Sequence, residues 1–497
     1  MSLGFPSCGS TSAGMETYKY LPVRNPLTAF WLRNPDELHE HRSTQELPEQ
    51  SDIVIIRAGY TGVSIAYHLI KERVATISSI TILEARGACS GATGRNGGHL
   101  RPDMYGHIPT YIHRAGAEAS CEVAEFEIAC MHAIKTMIEE QEIDCDFTYT
   151  RSIDVWCNLE TAKKGKVVYD DMAPCFEYMR DVVYTGKNVG GICGMKGATA
   201  CASYTAGTIF PYKFIMHLLR GLVHGGKVNL QTNTPALVIT KDAKTPNIFT
   251  VETTCGKIRA QKVIHASNTY MSSLLPEYRH NIVPCKGICC RITVPAGTTA
   301  PLLNNSYINR AKDHALSYLI PRADGSIIVG GAASTFKPFL GQLYNNVDDS
   351  VLIEAAKDYN NDYMQRTYRG WENTGAHVNQ IWTGVMGYSY DSYPYIRVVP
   401  SKSGQFILAG LNCHGMPVIW LAAKGLARMV ASNIPFKEPG IPRLFEPHSI
   451  GLIEPRMEKR KTEISRAKQL RSSLRTLGAA ITHYKLMPPG RDTFTLI

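Results

Sequence analysis

Arg57, Gly59 and Gly62 stand at the spacing of the three glycines with which a chain turns from strand to helix around a dinucleotide. The first of those glycines permits the tight turn, the second lets backbone approach the pyrophosphate, and the third lets the helix pack on the strand. Two are present here, and an arginine replaces the first. A guanidinium at that place can crowd the nucleotide or, swung outward, pair with a phosphate; the sequence leaves both open. Glu84 follows Gly62 by 22 residues and can accept hydrogen bonds from both hydroxyls of an adenosine ribose. Ala85 and Arg86 lead into a loop that runs to Leu100 and includes Ser90, Gly91, Gly94, Arg95, Asn96, Gly97, Gly98 and His99. Glycines so dense let backbone amides lie against a ligand, and a plain surface linker would rarely interleave Arg, Asn and His so closely. A third glycine-bearing stretch, Ala409 to Met416, carries Gly410, Asn412, Cys413, His414 and Gly415. It precedes a run of helical spacing whose N-terminus can face an anionic or electron-rich group.

These residues need elements to hold them. Ile53 to Ile56 is a β-branched run suited to a buried parallel strand. Val63 to Glu72 places Val63, Ala66, Tyr67 and Ile70 at helical spacing, and Ile80 to Leu83 reads as a second buried strand that ends at Glu84. The result is a strand–turn–helix–strand unit of about thirty residues. Further on, residues 113–142 are expected to be helical, 149–200 to be mixed, and Tyr212 to Leu222 to form a helix with one apolar face. Val228 to Thr232, Ala236 to Thr240, Phe249 to Thr253 and Lys262 to Ala266 read as strands. Residues 286–335 alternate like antiparallel strands, with Ala323 to Ser326 as a hairpin turn. A helix is expected over Asp348 to Tyr359, a strand over Phe406 to Leu408 and a closing helix over Ile419 to Ala431. The first fifty residues read as an irregular arm.

Composition narrows the function classes. The chain of 497 residues is too long for one simple core, and two joined domains are the natural expectation. Ten Lys/Arg and three Asp/Glu lie from Arg456 onward, so +7 of the formal +10 belongs to the tail. The nearly neutral body argues against nucleic acid as a partner. The fourteen cysteines are scattered without a CxxC pair, so no metal site is expected, and the thiols read as reduced. An apolar signal segment and a membrane span are both missing from the pattern, which makes a cytoplasmic protein the default expectation.

Ser90-Gly91-Ala92-Thr93-Gly94-Arg95-Asn96-Gly97-Gly98-His99 closely resembles the loop of FAD-dependent oxidoreductases of the D-amino-acid oxidase and sarcosine oxidase-like (DAO) family, especially its fungal-type members. Val263 to Asn268, Trp382 to Tyr388 with Asp391 and Pro394, and Ala409 to Met416 resemble three further stretches of that family around its flavin, so the likeness spans roughly residues 20 to 435. Arg57 and Cys413 depart from it, each replacing a glycine. The resemblance implies an α/β fold: a Rossmann-like FAD-binding domain interleaved with an antiparallel-sheet substrate domain. It implies the first from 51–115, 200–285 and 380–435, the second from 116–199 and 286–379, between an arm at 1–50 and a basic tail at 436–497.

The same resemblance implies an FAD cofactor, held non-covalently because no cysteine lies near Val385–Met386. FAD would contact Gly59, Gly62, Glu84, Ala85, Arg86, Ser90, Gly91, Gly94, Arg95, Asn96, Gly97, Gly98, Gly410, Asn412, Gly415 and Met416. The implied reaction removes a hydride from a C–H next to nitrogen or oxygen in a small-molecule substrate, in an oxidase using molecular oxygen or in a dehydrogenase; a role in specialised-metabolite synthesis fits the fungal likeness. Arg322, in Tyr318-Leu319-Ile320-Pro321-Arg322, resembles an arginine that clamps a substrate carboxylate. His99, Tyr388 and His414 are implied at the edge of the ring. The arginine at 57 and the cysteine at 413 leave open a rival reading, a redox-silent cyclase, isomerase or binding protein on a flavoenzyme fold with weakened FAD binding.

Overall fold

A computed structural model of the chain describes residues 20–72, 77–245, 247–310, 316–336 and 338–446. Gln50–Ile56 lies at the centre of the first sheet, paired in parallel with Ile80–Leu83 on one side and Gly256–His265 on the other. Asn229–Gln231 and Gln405–Ala409 extend the parallel core outward. The strand pair Ala236–Lys241 and Phe249–Thr253 runs antiparallel into Gly256–His265, and Tyr395–Val398 closes one edge.

Side chains alternate across that central strand as the pleat requires. Ile53 and Ile55 enter a core shared with the helices Tyr60–Glu72, Pro211–His224 and Ile419–Ser432, whereas Val54 and Ile56 pack with Phe249, Val251 and Ala236 on the opposite face. A strand covered on both faces must be apolar at successive positions, which is why Ile53–Ile56 carries no polar residue.

The second sheet is mixed. In spatial order it contains His377–Ser389, Ile282–Thr293, Ile327–Gly330, Leu316–Pro321, Ser306–Arg310, Thr148–Trp156, Ala200–Thr208 and His99–Leu100, with Val183–Thr185 beside Ala200–Thr208. Ser306–Arg310 and Thr148–Trp156 run parallel, and the other neighbours are antiparallel. His99–Leu100, Ala200–Thr208 and the part of His377–Ser389 from 380 onward lie in stretches expected from the sequence to form the FAD-binding domain. The chain crosses between the sheets within those stretches, which makes them the walls of a cleft.

Two helix expectations change. The stretch 113–142 is two helices, Ile108–Ala115 and Ala117–Glu140, parted at Gly116, whose φ of 86° stops the first. The helix expected over 348–359 is a single turn, Glu354–Ala356. Asp348 instead accepts from the backbone N–H of Ser350 at 2.8 Å, while Asp349 is drawn into ion pairs with Arg86 and Arg95. Side-chain bonding there outcompetes a helical ladder. The arm from Tyr20 to Glu49 meets both sheets, Ser43 bonding Leu230 of the first and Thr28 bonding Gln380 of the second, and buries Trp31 almost completely. The basic tail expected from 436 lies, from residue 447 onward, outside the described residues.

Candidate cofactor and substrate cleft

The strand-to-helix turn is built as its spacing predicts, with one distortion. A Cβ on Gly62 would lie 1.9 Å from the carbonyl oxygen of Arg57, so a glycine there is what lets the helix reach the strand. Arg57 holds a φ of 101°, in the region that favours glycine. Gly59 opens the helix beside Thr93, whose hydroxyl accepts the Tyr60 N–H at 2.9 Å. Glu84 is buried at the end of its strand and accepts from the backbone N–H of Ala58 and of Arg86, both at 3.0 Å. The Arg57 guanidinium donates to the same carboxylate at 3.3 Å and lies 4.3 Å over the ring of Tyr270. The cavity beside them measures about 20 Å³ and is lined by Leu21, Pro22, Arg57, Ala85, Ser267 and Tyr270, among others.

The glycine-rich loop is braced from outside. Arg86 pairs with both oxygens of Asp349 at 3.0 and 3.1 Å; Arg95 reaches Asp349 at 3.2 Å and donates to the carbonyls of Ser90, Leu27 and Thr383. These two arginines, expected to face the cofactor, thus turn into the protein and fix the loop's course. Trp31 donates from its indole N–H to the Asn96 carbonyl at 2.6 Å, and Asn96 accepts the Gly98 N–H at 2.7 Å. On the other wall Asn412 accepts the Ser389 N–H at 2.8 Å and donates to the Gly410 carbonyl at 2.8 Å, shaping a loop in which Asn412 and Cys413 both have positive φ. Met416 meets Asn96 across the gap, Sδ to Nδ2 at 3.8 Å.

Between these walls the cleft is polar. Cys413 is exposed, and His99, Tyr318, Tyr388 and His414 are half-buried. Tyr318 packs so closely on Gly97 that a Cβ there would lie 2.4 Å from its ring, and its hydroxyl is 2.9 Å from the Cys289 thiol. Burial, reinforced by the neighbouring Cys413, holds the Tyr388 hydroxyl well above its ordinary pKa. His99 hydrogen-bonds the Ser306 hydroxyl at 2.7 Å, and burial lowers its pKa to about 3, so it is neutral. His414 bonds Glu127 at 2.7 Å; burial works to discharge the ring, but Glu127 outweighs it and raises its pKa. Arg322 is held apart from these groups. Its guanidinium pairs with Asp146 and lies over Trp31 and Phe210 at 4.9 and 5.2 Å, so its charge is already matched.

Groups that the sequence did not single out complete the cleft. Asp154 is fully buried and accepts from Arg310 Nε at 2.7 Å, Tyr105 at 2.8 Å and Tyr204 at 3.3 Å, with Arg101 beyond at 3.4 and 3.5 Å. Burial opposes its charge, yet Arg310 and Arg101 together keep its carboxyl below the usual range. Two guanidinium groups therefore share one carboxylate, and Arg101 Nε has no partner. The signal available in advance was Arg101's place directly after His99-Leu100, at the end of the glycine-rich loop.

A strand–turn–helix unit with a carboxylate at the second strand's end, facing a mixed sheet across a cleft of glycine-rich loops, defines a dinucleotide-dependent enzyme of the flavin type. The chain belongs to the DAO family of FAD-dependent oxidoreductases, whose model matches residues 52–429. It is 25% identical over 375 residues to a "Probable oxidoreductase OrdL" of Rhizobium meliloti, covering 74% of this chain and 80% of that one. To the gamma-glutamylputrescine oxidoreductase of Escherichia coli it is 23% identical over 406 residues, covering 77% and 84%. The fold of glycine oxidase from Geobacillus kaustophilus superposes with a TM-score of 0.64 at 19% identity, over 81% of this chain and 100% of that one. Among the described residues no helix is long and apolar enough to cross a membrane, and no cluster of metal-ligating side chains occurs.

The backbone of the strand-to-helix turn and the carboxylate after it fit FAD, while Arg86 and Arg95 serve as braces and not as contacts. Gly59, Gly62 and Glu84 have the required placement, and the buried hydroxyls of Ser90 and Ser267 lack partners, as groups waiting for a polar ligand do. Arg57 is the exception.

Proposed function

We propose that the chain oxidises a small amine that also carries an anionic group, in the cleft between Gly97–Arg101, the 412–416 loop and the second sheet. Arg101 carries this reading. It is a half-buried guanidinium 3.4 Å from a carboxylate that already serves Arg310, with its Nε unspent. A planar donor fork of that kind suits a substrate carboxylate. The glycine named for one structural relative and the amine named for one sequence relative agree with a C–H next to nitrogen as the site of oxidation.

Glu84 and the amides of the 58–62 turn would hold the adenosine and phosphate end of FAD, and the 90–98 and 412–416 loops its flavin end. Bound there, FAD would supply the hydride acceptor for the substrate C–H next to nitrogen. The protein's own groups orient and exclude. Arg101 fixes the anionic end of the substrate, neutral His99 and Tyr388 line the pocket without bringing charge to it, and His414 with Glu127 offers a proton-holding pair at its mouth. Arg322 is a brace on Trp31 rather than the clamp. On this reading the segments 51–115, 200–285 and 380–435 supply most of the cofactor's walls, and the likeness of the loop 90–99 to fungal-type members supports a substrate from specialised metabolism. Non-covalent binding is expected, with oxygen as the acceptor.

The test is a spectral one. Purified protein supplied with FAD is mixed anaerobically with D- and L-amino acids, N-methyl amino acids and the corresponding decarboxylated amines. Bleaching near 450 nm by the carboxylated set, and not by the amines, supports the assignment; equal bleaching by both removes Arg101's role.

A further inference from the structure

We infer, given FAD as the cofactor, that Arg57 is a specificity-determining residue that occupies the adenosine anchor from within and narrows the chain's preference for FAD over flavins that lack adenosine. Three observations converge on this. The Arg57 guanidinium donates to Glu84 at 3.3 Å, on the carboxylate that would otherwise receive the ribose hydroxyls. It also lies over Tyr270, 4.3 Å from the ring centroid, taking apolar surface on which a planar group could rest. Arg57, Glu84 and Tyr270 are all buried, and the cavity lined by Arg57, Ala85 and Tyr270 measures about 20 Å³, room for a single water.

A ligand entering a site whose polar groups are already paired gains only the difference between the new contacts and those it displaces. Adenosine must break the Arg57–Glu84 pair and lift the guanidinium off Tyr270, so its half of FAD adds little affinity. FMN, which has no adenosine, does not meet Arg57's side chain at Glu84 and loses nothing. Of the two roles open from the sequence, this geometry extends crowding. The guanidinium is not turned outward to a phosphate, and what it takes from the nucleotide is a hydrogen-bond acceptor as well as space.

Flavin binding is measured by fluorescence titration of FAD and of FMN into purified wild type, Arg57→Gly and Arg57→Ala. Both variants are expected to tighten FAD by about tenfold or more, the factor for freeing one charged hydrogen-bond partner, and to leave FMN unchanged. The ratio of the two dissociation constants then widens in both. Arg57→Ala keeps a side chain at the strained φ and removes only the guanidinium. Tightening by Arg57→Gly alone would therefore overturn competition for Glu84 and assign the effect to the backbone. Unchanged or weaker FAD binding in both variants would also overturn it. Failure of all three proteins to bind either flavin would overturn the cofactor assignment itself, and with it this role for Arg57.

Discussion

The two ends of the cleft are built on opposite plans. At the adenosine end an acceptor is satisfied in advance: Glu84 has two backbone amides and Arg57, and the cavity beside Arg57 measures only about 20 Å³. At the substrate end donors exceed acceptors, since Arg101 and Arg310 share Asp154 and solvent reaches His414 and Cys413. A closed, internally paired site binds by exchange, whereas an open one with an unspent donor binds at nearly full strength. The same fold can therefore weaken its hold on a cofactor and keep its hold on a substrate by changing a single residue of a glycine turn.

The largest effect should come from removing the carboxylate that organises the substrate end. Asp154→Ala strands two buried guanidinium groups, and unfolding in urea should show a loss of about 3–5 kcal/mol. A loss below about 1 kcal/mol would mean that Arg101 and Arg310 are neutralised elsewhere. Next is Arg101→Met, which keeps the aliphatic stem. The KM for a carboxylated substrate should rise about 10- to 100-fold, the equivalent of one charged hydrogen bond, with FAD affinity unchanged. Equal effects on a neutral amine would erase the contrast between the two ends. Smaller again is Arg322→Ala. Loss of its stacking on Trp31 and Phe210 and its pair with Asp146 should lower stability by about 1–2 kcal/mol and leave KM alone. A rise in KM specific to acidic substrates would restore the clamp role that the Tyr318–Arg322 strand suggests.

How far the sequence reaches follows the same division. The parallel core was legible because Ile53–Ile56 and Ile80–Leu83 are β-branched runs bounded by turn residues, and local pattern decides such strands. The hairpin at Ala323–Ser326 was legible for the same reason and appears between Leu316–Pro321 and Ile327–Gly330. The helix expected at 348–359 failed because Asp349 answers to Arg86 and Arg95, more than 250 residues earlier in the chain, and not to its own neighbours. The substrate end was hidden by the same kind of distance. Arg101, Glu127, Asp154, Arg310 and His414 come from five separate segments, and only the fold shows that they meet. Arg57 was recognised as foreign to its turn, but its partner became visible only with the geometry of Glu84 and Tyr270.

The smallest effect is a pH dependence, and its sign separates the two ends further. Facing His414 are Glu127 and Asp103, which favour its charge, and Arg101, which opposes it; His107 lies 6.1 Å away, ring to ring. Burial lowers the imidazole's pKa, but the carboxylates outweigh burial, and the folded value lies above the ordinary 6.5. A group whose pKa is raised by folding stabilises the fold fully below its unfolded pKa, and that contribution is lost as pH rises through the folded pKa. Stability should thus decline as pH climbs from about 6.5 into the region where folded His414 discharges. Glu127→Gln removes the largest favourable partner while keeping an oxygen to accept the Asp103 N–H. In that variant the decline should move to lower pH. Urea midpoints for both proteins between about pH 5.5 and 9 measure it. An unmoved curve would mean that His414 is neutral throughout and that the substrate end, like the adenosine end, carries no titrating charge at its mouth.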